Sequence, residues 1–116
     1  MTKFFLLAAL GAGIVVAQTP AGNAENGKAL FNNKYRCYTC HGFDGHGGAG
    51  ARLVPMKMPA VAMIAYVRAP QRMPAYGPAV ISDQELTDIW AYVKTIPESP
   101  AVDKIPLLTQ IQGENK

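Results

Sequence analysis

Cysteine and histidine are scarce in this 116-residue chain, with two of each. Two cysteines cannot build the disulfide framework on which small exported domains often rely. A structural zinc site would need four ligands, and Cys37, Cys40, His41 and His46 supply no second pair at zinc-finger spacing. Alternating apolar and polar runs are missing too, which excludes a strand-built domain. Only 16% of residues are charged and the formal net charge is +3, too little cationic excess to argue for nucleic acid as a partner. The longest apolar run, residues 4–16, falls short of the ~20 residues that a membrane-spanning helix comfortably needs, so stable membrane insertion is not expected.

What is present is concentrated. Both cysteines fall in Cys37-Tyr38-Thr39-Cys40-His41. A CxxCH run is the attachment site of a c-type haem: the thiols add across the haem vinyl groups and the adjacent histidine becomes the proximal iron ligand. A thioredoxin-like CxxC would sit in a βαβ context, and no strand-like segment precedes Cys37. One covalent haem c is therefore the expected cofactor.

The N-terminus agrees with that reading. Lys3 is followed by an uncharged run over residues 4–16, and Val15-Val16-Ala17 offers small residues for cleavage before Gln18. Residues 1–17 read as a signal peptide, with an uncleaved anchor as the alternative. Covalent haem attachment in bacteria takes place outside the inner membrane, so a periplasmic location follows. Residues 18–96 would then form one small domain, which a covalently held haem would help to stabilise.

Three helices are expected. The first covers residues 24–33 with Asn23 as N-cap, and Gly27 inside it points to close approach by another helix. The second covers residues 59–69, from Pro59 to the stop at Pro70, with Ala60, Met63, Ile64 and Val67 on one face. The third starts at the capping box Ser82-Asp83-Gln84-Glu85, carries Leu86, Ile89, Trp90 and Val93 on its stripe, and ends before Pro97. Residues 42–50, with five glycines, read as a flexible crossing. The fold class is a small, loop-rich, all-α domain. Residues 97–116 read as a Pro-rich extended tail, either folded back to bury Leu107 and Leu108 or laid along a partner subunit.

Candidates for a second axial iron ligand are Met56, Met58, Met63, Met73 and His46. His46 is too close to His41 in sequence to reach the other haem face, and Met63 lies on the buried helical stripe. Met73, on a Pro-stiffened loop between the second and third helices, is the best choice. His/Met ligation would raise the reduction potential and suit electron transfer over catalysis. The alternative is a haem enzyme or gas-binding protein with an open distal site. Seven basic residues (Lys28, Lys34, Arg36, Arg52, Lys57, Arg68 and Arg72) precede the third helix, forming either a basic rim for an acidic partner or an ordinary solvated surface.

At these residues the chain resembles the class I monohaem c-type cytochromes, from about Glu25 to Thr95. Gly27-Lys28-Ala29-Leu30-Phe31 is similar to that family's first helix, and Ile89-Trp90-Ala91-Tyr92-Val93 to the helix crossing it. The resemblance implies that Ile89 and Tyr92 pack on Gly27 and Phe31. Arg68-Ala69-Pro70 followed by Met73-Pro74-Ala75-Tyr76 resembles the distal-methionine segment. In place of the family's Gly-Pro-x-Leu stretch stands Gly50-Ala51-Arg52-Leu53, so a carbonyl near Ala51 would have to orient His41. The resemblance further implies an electron shuttle or the cytochrome subunit of a dehydrogenase. Its redox partners would be a flavin- or quinone-dependent dehydrogenase and a terminal oxidase or other cytochrome.

Overall fold

The computed structural model describes residues 21–114, which form helices and loops with no strand among them. The all-α expectation holds. The predicted signal peptide lies outside the described residues. Within them no helix is long and apolar enough to cross a membrane.

Helix α1 spans Ala24–Ala29 and begins where predicted, with the Asn23 side chain accepting from the Asn26 amide at 3.0 Å. It runs on as a π-helical turn over Leu30–Lys34, closed by the Tyr35 amide on the Leu30 carbonyl at 2.9 Å. The wider turn is where the helix gives way to the CxxCH segment. A one-turn helix, α2, follows at Tyr38–His41, then α3 at Ala60–Arg68 and α4 at Asp83–Thr95. Ser82 and Glu85 make the predicted capping box at the start of α4.

α1 and α4 cross closely. Gly27 is buried there, and a Cβ at this position would overlap the Asp88 backbone carbonyl. One turn further, the fully buried Phe31 ring meets Tyr92 at 5.6 Å between centroids, tilted by 60°. Leu30, Phe31, Ile81, Leu86, Ile89 and Val93 form the centre of the core, joined by Met63 from α3 and by Val54. Ile64, Val67 and Trp90 pack at its edge, and the Trp90 Nε1–H donates to the Met58 carbonyl at 2.9 Å.

A polar cluster seals the same crossing. Asp88 is buried and accepts hydrogen bonds from the Asn23 amide, Asn26 Nδ2 and Gln84 Nε2, each at 2.8 Å. Burial pushes its carboxyl up, but those three donors together outweigh it and hold the group below the ordinary range. A buried carboxylate so satisfied fixes the crossing in register, because any slide would leave charge unpaired.

At the other end of α1, Lys34 Nζ meets Glu85 Oε1 at 2.5 Å, and the Ser82 amide donates to Glu85 Oε2 at 2.9 Å. The Lys34 ammonium first, and the Ser82 amide next, bring the Glu85 carboxyl down from 4.5 to about 2. A depressed folded-state value contributes stability that is complete above the unfolded value and is lost as pH falls through the folded one. Glu85→Gln is therefore expected to flatten the dependence of melting temperature on pH between about 4.5 and 2. Parallel melting curves for the two proteins across that window would contradict the assignment.

The tail departs from expectation. A 3₁₀ turn at Val102–Lys104 leads into helix α5, Pro106–Glu114, so this stretch is not extended. Pro106 occupies the first helical position, where its missing N–H costs nothing, and so starts a helix in a stretch read as extended. Nor are Leu107 and Leu108 buried: they remain 65% and 39% exposed.

Candidate functional site

The CxxCH segment is built for presentation. Arg36 takes a left-handed conformation (φ 54°) that turns the chain out of the π-helical turn, and its carbonyl accepts from Thr39 Oγ1 at 2.8 Å and the Thr39 amide at 3.0 Å. The single turn of α2 then brings positions 37, 40 and 41 to one side, since residues three and four apart share a helical face. Cys37, Cys40 and His41 all line one cavity of about 600 Å³.

His41 is held from behind. Its Nδ1 lies 2.7 Å from the Ala51 carbonyl, the stretch from which an orienting acceptor was expected despite the missing proline. A carbonyl only accepts, so Nδ1 carries the proton and Nε2 is the nitrogen left to bind a metal. The loop that delivers Ala51 is closed by backbone bonds, the Gly47 amide to the His41 carbonyl at 2.9 Å and the Gly50 amide to the Cys40 carbonyl at 2.8 Å. It is thus an organised turn, where a flexible crossing was expected. Gly50 packs tightly behind the motif: a Cβ there would stand 3.1 Å from His41 Cε1 and 3.2 Å from the Cys40 Cβ.

Cys37 and Cys40 are not joined to each other in a disulfide. Burial pushes the Cys37 thiol above its ordinary value. For Cys37 that is the opposite of the lowering a reactive thiol needs.

The rest of the cavity is mainly apolar. Met63, Tyr66 and Val67 come from α3, Leu86 and Ile89 from α4, and Met73, Pro74 and Tyr76 from the loop joining these helices. Arg52 and Arg72 also line it, giving a cationic border suited to a ligand that carries carboxylates. Two thiols, one imidazole with a free Nε2, thioethers and an apolar lining fit a covalently attached haem. The volume lies in the range of small-ligand and cofactor pockets, about 300–1,000 Å³.

Met56, Met58, Met63 and Met73 all reach this cavity, whereas His46 does not. Instead, His46 Nδ1 lies 3.0 Å from the Asp44 carboxylate. The four methionines are used differently. Met63 belongs to the buried core cluster and Met56 packs against it, while Met58 is 44% exposed. Met73 is half-buried and stands outside that cluster. Sequence reasoning missed Tyr35, which lines the cavity and sets its hydroxyl 3.0 Å from both the Val80 carbonyl and Glu85 Oε2. Nothing in its sequence context marks Tyr35, because its partners lie 45 and 50 residues away.

A helical crossing sealed at a glycine, beside a CxxCH turn facing an apolar cavity, is the design of a c-type cytochrome domain, a class of electron-transfer proteins. Residues 22–93 match the family described as Cytochrome C oxidase, cbb3-type, subunit III, and the chain belongs to that family. It is 35% identical over 84 residues to the cytochrome bc1 complex cytochrome c subunit of Corynebacterium diphtheriae, an alignment covering 68% of this chain and 29% of that protein. The subunit of the same name from Corynebacterium efficiens is 33% identical over 84 residues, covering 68% of this chain and 28% of its own length. The chain thus spans less than a third of the length of these curated relatives. No solved structure matches it.

Proposed function

We propose that this chain is a monohaem one-electron carrier domain, with haem c joined to Cys37 and Cys40 and its iron held by His41 and Met73. The supporting observation is that all four side chains line one apolar cavity while the Ala51 carbonyl commits His41 Nδ1. The haem would supply a reversible ferric/ferrous couple. The chain's own part is to hold and shield it. Ala51 fixes the imidazole tautomer, Met63, Val67, Leu86 and Ile89 keep water out, and a soft thioether from Met73 favours the reduced state. A haem held by both His41 and Met73 would leave no position for a substrate, which favours a carrier over a haem enzyme.

The apolar stretch at residues 4–16 and the compartment in which haem is attached support export to the periplasm. As to partners, the relatives' names point toward respiratory complexes: a cytochrome or a terminal oxidase fits them, and they lend no support to a dehydrogenase.

A pyridine haemochrome spectrum of the purified protein is expected to show a thioether-linked haem. The oxidised protein should show the weak near-infrared sulfur-to-iron charge-transfer band, and Met73→Ala should abolish it. Survival of the band in Met73→Ala would transfer the ligand role to another methionine. Absence of the band in the unaltered protein would restore the open-site alternative.

A further inference from the structure

The segment joining α3 to α4 carries Met73, and hydrogen bonds tie it down at Tyr76. The Tyr76 amide donates to the Val67 carbonyl at 3.1 Å, and the Tyr76 carbonyl accepts from an Arg68 guanidinium nitrogen at 2.8 Å. The other terminal nitrogen of Arg68 reaches Asp83 Oδ1 at 2.5 Å, at the first residue of α4. One guanidinium therefore bridges the last residue of α3, the loop and the start of α4. The eight residues from 69 to 76 are closed into a ring with Met73 inside it. Pro70 and Pro74 stiffen that ring, since each fixes its own φ.

We infer that Arg68 is a positioning residue for the distal ligand: its bridge to Tyr76 and Asp83 sets how often the Met73 loop opens and exposes the iron. The inference rests on Met73 as the axial ligand. The bridge suits this task for three reasons. The Arg68 side chain is only 19% exposed, so water competes poorly for its bond to the Tyr76 carbonyl, while the Asp83 arm, on a carboxylate 67% exposed, is the weaker one. Its planar fork serves two acceptors at once, which a lysine cannot do with fixed geometry. And the atom it holds in the loop is a main-chain carbonyl, so the restraint acts on backbone position three residues from Met73.

An external ligand can bind ferric iron only when the loop is open, so its apparent affinity scales with the open fraction. Imidazole is the probe. Titrated into the oxidised holoprotein while the near-infrared band is followed, it should bind on the order of twentyfold more tightly to Arg68→Gln than to the unaltered protein, as expected for losing hydrogen bonds to a charged group. The band should be present in the variant before imidazole is added. Asp83→Asn keeps the guanidinium but loosens it, and should bind imidazole about fivefold more tightly. It carries the test if Arg68→Gln does not accumulate. Val93→Ala is the reference for general destabilisation, because Val93 is buried in the core and does not line the cavity. Its melting temperature should fall while its imidazole affinity stays within about twofold.

The outcomes separate cleanly. A band in the unaltered protein with unchanged imidazole affinity in both loop variants overturns the Arg68 bridge alone. Equal tightening in Val93→Ala overturns it as well, by reducing it to overall stability. No band in the unaltered protein removes the Met73 assignment, and the bridge falls with it.

Discussion

Gly27→Ala is expected to destabilise the holoprotein by about 3 kcal/mol or more, against the sign that helix propensity alone would give. In an exposed helix interior the same change gains about 1 kcal/mol, because alanine surrenders less backbone freedom than glycine. Here the added methyl would overlap the Asp88 carbonyl and crowd the Ile89 amide of α4. Both neighbours are backbone, so no side-chain rotation can relieve the contact. The helices would have to separate, and separation stretches the Asn23 and Asn26 hydrogen bonds to the buried Asp88. Phe31 would also shift from Tyr92, one turn along. For a domain of this size 3 kcal/mol corresponds to a fall in melting temperature of roughly 12–24 °C. Gly113→Ala is the matched comparison: it lies in α5 with nothing within 4 Å of an added Cβ, and is expected to be neutral or slightly stabilising. Thermal melts of the two holoproteins by circular dichroism decide the matter. If Gly27→Ala melts within 2 °C of the unaltered protein, the crossing is not as tight as described.

Gly27 also shows what could be read from sequence. A glycine within a helical segment, costly by propensity, implied an approaching backbone, and the partner proved to be α4. The capping box at Ser82 and the apolar spacing in α4 were legible for the same reason, since each is a local pattern with a single structural reading. The CxxCH turn and a carbonyl near Ala51 were legible as well. Less so were groups whose partners are distant in the chain. Nothing local in the sequence marks Asp88, and only the fold brings Asn23 and Asn26 against it. Arg68 was legible as a basic residue and as part of the segment resembling a distal-methionine stretch, but nothing local showed its bridge to Tyr76 and Asp83. The tail was read as extended from its proline content, although the effect of a proline depends on the helical position it occupies, and Pro106 stands at the first position of α5.

Removing both thiols, as Cys37→Ala with Cys40→Ala, is expected to have the largest effect of all: loss of retained haem and with it most of the fixed tertiary structure. The core is small, and much of it faces the cavity. Among the described residues nine apolar side chains are buried, and Phe31, Met63, Ile81, Leu86 and Ile89 from that set also line the cavity of about 600 Å³. At ~24 cal/mol per Å³, leaving such a volume unfilled would cost on the order of 14 kcal/mol. That is an upper bound, since water can enter through the open mouth, but it rivals the whole stability of a typical domain, about 5–15 kcal/mol. The variant is therefore expected to collapse around the cavity or lose its packing. Contacts of α1 with α4 lie away from the cavity at Gly27 and Asp88, so residual helix is expected there, while α3 and the Met73 loop lose their docking surface. Haem staining after a denaturing gel should be absent, as covalent attachment is gone. Far-UV circular dichroism should retain part of the helical signal, the near-UV signal of Trp90 and the tyrosines should vanish, and amide exchange should be fast throughout α3. Native near-UV dichroism together with slow exchange in α3 would mean that the core is self-sufficient, and that the two cysteines anchor a cofactor without also holding the fold together.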